Sequence, residues 1–66
     1  MNNAVGVRAA AAEHLRIARL LEAHGDAIGA VLAYREVIQE GVEPEAAEAR
    51  RRVHQLARRA WPDEPA

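Results

Sequence analysis

Five arginines and no acid fall between Ala49 and Ala60: Arg50, Arg51, Arg52, Arg58 and Arg59. A guanidinium group stays charged and presents a planar fork of donors that matches carboxylates and phosphates. The run predicts a contact face for an acidic partner, with Arg51, Arg52 and Arg59 as the leading positions. The plain alternative is a solvated helix face on which Glu48 pairs with Arg52 four residues later. Nucleic acid is the weaker reading. The chain's net charge is −1, and no interleaved aromatics offer stacking platforms for bases.

Leu15, Arg19 and Glu22 recur at i, i+4 and i+7 and so share one stripe of a helix. The stripe offers a peptide one apolar spot and two polar clamps. Alternatively, Leu15 is core and the other two face water. Trp61, the largest side chain, either folds back over the end of the domain or joins an interface, where Trp is enriched. His14, His24 and His54 show no i, i+4 pairing of the kind that holds zinc. His14 and His24 stand about 15 Å apart along a helix axis. No metal or cofactor site is expected from them. The chain has no Ser, Thr or Cys, so it holds no Ser-His-Asp set and no thiol nucleophile. No glycine-rich phosphate loop occurs. These residues predict a binding protein, not an enzyme.

The elements that position these residues are legible from composition and punctuation. Sixty-six residues make one small domain, which buries only about 60% of its unfolded surface. Tyr34 and Trp61 are the only aromatics, and alanine dominates the apolar residues. Alanine is the strongest helix former, and the β-branched and aromatic runs of strands are missing. An all-α fold follows. Arginine supplies every strong base, with no lysine, a bias that points to a GC-rich bacterial genome. No signal sequence is recognisable at the start and no stretch reaches the ~18 apolar residues of a membrane span. The expectation is a cytoplasmic protein with no membrane contact.

Residues 1–7 read as a flexible start, and a helix is predicted from about Arg8 to His24. Leu15, Ala18 and Leu21 or Glu22 form one stripe, with Ile17, Leu20, Leu21 and His24 beside it. Gly25 followed by Asp26 is a stop-and-restart signal: glycine suits the left-handed helix end and aspartate caps the next helix. A connection this short makes the helices antiparallel. The second helix is predicted over Ala27–Glu40, with Ile28, Val31, Leu32, Arg35 and Ile38 on one side. Ala27, Ala30, Tyr34 and Val37 lie on the neighbouring side. So wide an apolar arc suits a helix packed between two others. Gly41 ends it, and a third helix is predicted from Pro44, a favoured first-turn residue, to Ala60. Its stripe is Ala46, Ala49, Val53, Leu56, Ala57 and Ala60. Residues 62–66 read as a flexible acidic tail or linker.

The hairpin from Glu13 to Glu43 resembles a tetratricopeptide repeat. Gly25-Asp26, Ala30 and Tyr34 match the spacing of that family's turn, small second-helix residue and aromatic. Ile17 and Ala18 stand where the family has Leu-Gly. Leu21, Val37 and His14 replace its usual Tyr, Ala and Trp, and Pro44 lies about two residues from its terminal Pro. The same Gly-Asp turn, Ala and Tyr are similar to those of the microtubule-interacting-and-transport domain, a three-helix peptide binder. Both resemblances imply a three-helix antiparallel bundle, 8–61, with the third helix as a cap. They also imply a protein or peptide partner held between helices. Homodimerisation through an apolar helix face is the competing structural reading.

Overall fold

Asp26 serves two helices at once. In the computed structural model, which describes residues 3–61, helix α1 runs Asn3–Ala23 and α2 runs Ala27–Glu40. The Asp26 N–H donates to the Leu21 carbonyl at 2.9 Å, and the Gly25 N–H to the Glu22 carbonyl at 3.0 Å. This nested pair of bonds satisfies carbonyls that the end of α1 leaves free, with Gly25 in the left-handed conformation at φ 84°. The Asp26 carboxylate then accepts from the Gly29 N–H at 2.9 Å and caps α2. Gly29 makes that cap possible, because a Cβ there would lie 2.3 Å from Asp26 Oδ2.

Gly41, at φ 71°, closes α2 by donating to the Ile38 and Val37 carbonyls. Helix α3 follows as Glu45–Ala60. Pro44 sits one position outside it, so the predicted start shifts by one residue. The capping acceptor is Glu43, whose carboxylate takes the Ala47 N–H at 3.1 Å. Acids begin α3 (Glu45, Glu48) and arginines end it (Arg58, Arg59), as the helix dipole favours.

The start of α1 differs from expectation. The helix begins at Asn3, inside the stretch read as a loose 1–7 start. The alanine run Ala9–Ala12 carries it, and Gly6 costs only about 1 kcal/mol in a helix interior without breaking the hydrogen-bond ladder. The tail read as a linker, 62–66, lies outside the described residues.

The fold is all-α, with no strand among the described residues. Helix α2 is the middle element. It packs along both α1 and α3, while α1 and α3 meet at only a few positions. The core is built of Leu15, Ala18, Ala30, Tyr34, Val37, Ala49 and Leu56. Alanines at Ala18, Ala30 and Ala49 bring the backbones close, and Tyr34 and Val37 are the largest side chains fully out of water. Leu21, Ala27, Val31, Ile38 and Val53 pack around them. The second stripe predicted on α1 points outward instead, leaving Ile17, Leu20 and His24 exposed. No helix among the described residues is long and apolar enough to cross a membrane.

Candidate functional site

Because α3 leans on α2 and barely touches α1, an open groove of about 540 Å³ runs between α1 and α3. Arg19, Glu22 and Ala23 line it from α1, Gly25 from the turn, Ala27 from the start of α2, and Arg52, Leu56, Arg59 and Ala60 from α3. Its apolar surface is a leucine and small residues. Its rim carries three guanidinium groups against one carboxylate, in a chain whose net charge is −1. A second depression, lined by Arg52, Gln55, Arg58 and Arg59, continues the basic strip along α3.

Glu22 is the hub of the groove. Its Oε1 accepts the Tyr34 hydroxyl at 2.8 Å. Its Oε2 lies 3.3 Å from Arg59 Nη2 and 3.5 Å from Arg52 Nη1. Burial first, then the bond to Glu22, pushes the Tyr34 phenol up to about 12, so it remains a donor at any ordinary pH. Nearby, Arg19 spans from α1 to α3 and donates from Nε to Glu48 Oε2 at 3.0 Å. This bond displaces the expected pairing of Glu48 with Arg52. Glu48 faces α1, and Arg52 turns to Glu22 instead.

The Arg19 hydrogen bond, outweighing the burial that opposes it, holds the Glu48 carboxyl below its usual value. A carboxyl depressed in the folded state adds stability that is complete above its unfolded pKa, about 4.3. That stability disappears as pH falls through the lower folded value. Glu48→Gln should therefore lower Tm at neutral and alkaline pH, leave it nearly unchanged at the acid extreme, and so flatten the acid limb of a plot of Tm against pH. Thermal melts followed by helical circular dichroism check this, and an unchanged acid limb would show that the pair contributes nothing.

Of the residues singled out in the sequence, Arg19, Glu22, Arg52 and Arg59 come together in the groove. Leu15 does not. It is 6% exposed and belongs to the core, because its position on α1 lies between the α2-facing and α3-facing sides. Arg51 is exposed and lines neither depression. Trp61 closes α3 through its N–H, which donates to the Ala57 carbonyl at 2.9 Å. Its side chain is exposed rather than folded over the bundle, one position past the end of α3 at Ala60. Arg58, part of the arginine run, lies on the continuing strip, and Gln55 beside it escaped the sequence reading. The available signal for Gln55 was its place three residues after Arg52 and three before Arg58. His14 bridges to the end of α2, its Nδ1 against Glu40 Oε2. No family model, curated protein or solved structure matches the chain.

Proposed function

We propose that this chain is a non-enzymatic interaction module that docks an acidic peptide segment in the groove between α1 and α3. The observation that carries this reading is the groove's makeup, with Arg19, Arg52 and Arg59 around Leu56 and small residues. A net positive rim over an apolar floor gives both steering and burial to an incoming acidic segment. The resemblance to the tetratricopeptide hairpin supports the same face, since part of that family's first helix faces its ligand. The missing Ser, Thr and Cys support binding over catalysis.

A labelled oligoglutamate peptide titrated against the whole chain tests this by fluorescence anisotropy. Affinity should fall steeply with salt, and backbone amide shifts should move at Ala23, Arg52 and Leu56. Absence of binding at low salt, or shifts confined to other faces, would refute it. An oligonucleotide bound more tightly than the peptide would favour the arginine-helix alternative.

A second reading rests on a separate observation. Ile28 and Leu32, four apart on α2, are 64% and 59% exposed, and Ile17 and Leu20 are open on α1. Their exposure, at positions outside the groove lining, favours self-association through apolar side chains of α1 and α2. Sedimentation of the chain alone over a wide concentration range distinguishes a dimer from a monomer.

A further inference from the structure

The three groove arginines are not held alike. Arg19 is committed to Glu48 through two donors, at 3.0 and 2.5 Å. Arg52 and Arg59 share one oxygen of Glu22, at 3.5 and 3.3 Å. A well-made guanidinium–carboxylate bond is shorter, about 2.7–2.9 Å. The opposite oxygen of Glu22 is gripped by the Tyr34 hydroxyl at 2.8 Å. Exposure follows the same division. The Glu22 side chain is 18% exposed, against 39% for Arg52 and 67% for Arg59. The carboxylate is anchored and the guanidinium groups are free to turn.

We infer that Glu22 is a built-in stand-in for the partner's carboxylate. In the empty groove it gathers Arg52 and Arg59 at one point. On docking, both arginines transfer to an acidic side chain of the partner, while Glu22 remains on Tyr34. Because the two guanidinium groups converge on a single oxygen, one partner carboxylate can take both. Recognition then lies with Arg52 and Arg59, and Glu22 sets its threshold by competing for them. This inference rests on the docking reading above and adds a regulator to the same site.

The test compares oligoglutamate affinity in the wild-type chain, Glu22→Gln, Arg59→Gln and Arg16→Gln. Gln at position 22 keeps an amide oxygen for the Tyr34 hydroxyl but gives up the charge. Loss of two loose, partly exposed ion pairs should tighten binding about five- to tenfold. Arg59→Gln should weaken it by about fivefold or more on the same grounds. Arg16 pairs with Glu13 on its own helix, outside the groove, and its replacement should leave affinity unchanged. Equal or weaker binding by a normally helical Glu22→Gln would overturn the stand-in role and leave the docking reading intact. Binding by none of the four proteins would overturn both. Should Glu22→Gln lose its helicity, Arg59→Gln decides: wild-type affinity there overturns the inference.

Discussion

Replacing Tyr34 by alanine unfolds the chain. Removing a fully buried aromatic side chain costs about 3–5 kcal/mol. A domain of this size holds only about 3–10 kcal/mol in total, at roughly 0.05–0.15 kcal/mol per residue. Few other large groups can compensate, since half of the core positions around Tyr34 are alanines. The expected result is loss of most helical circular dichroism at room temperature, or a cold, broad melt. A Tm within a few degrees of wild type would show that the helices hold together without their central aromatic. Tyr34→Phe separates the ring from its hydroxyl. It keeps the packing but leaves Glu22 without its tightest donor, a cost of about 1–3 kcal/mol.

The largest effect on binding is expected from Arg52→Glu combined with Arg59→Glu. Two bases that face Glu22 become two further acids, so the groove turns from net positive to strongly negative. Like charges at an interface repel and slow encounter as well as weaken the complex. Affinity for oligoglutamate should fall by about a hundredfold or more, the order given by losing two charge contacts and gaining two repulsions. Arg51→Glu is the matched comparison, because Arg51 lies on the same helix outside the groove. It should cost far less. Equal losses in the two proteins would mean that only the general charge of α3 matters.

Much of the architecture is legible in the sequence. Gly25-Asp26 and Gly41 are local chemical signals, each acting through its own backbone and nearest neighbours, and they set the ends of α2 where the structure has them. The alanine run before Glu13 carries no such signal. Propensity alone does not say where a helix begins, and the spacing that predicts a start at Arg8 falls five residues short of the observed Asn3. Leu15 was ambiguous because helical spacing shows which residues share a face but not what that face meets. The charge pairs were the least legible part. Within one helix, Glu48 and Arg52 are natural partners. The fold instead turns Glu48 towards Arg19, 29 positions away, and no pattern of nearby residues announces such a pair. Glu22 and Tyr34 meet because a tight turn folds α1 back along α2, a pairing that the hairpin prediction implied but did not single out.

The double duty of Asp26 has a consequence for how this molecule opens. The residue that terminates α1 also initiates α2, so neither helix end can fray without loosening the other. The hairpin therefore behaves as one cooperative folding unit. No comparable knot joins α3, which is tied to its neighbours by α2 packing and a few charge bridges. In native-state exchange, the expected lowest-energy sub-global excursion is the peeling of α3 from an intact hairpin, read as α3 amides exchanging before those of α1 and α2. That excursion widens the arginine-lined groove.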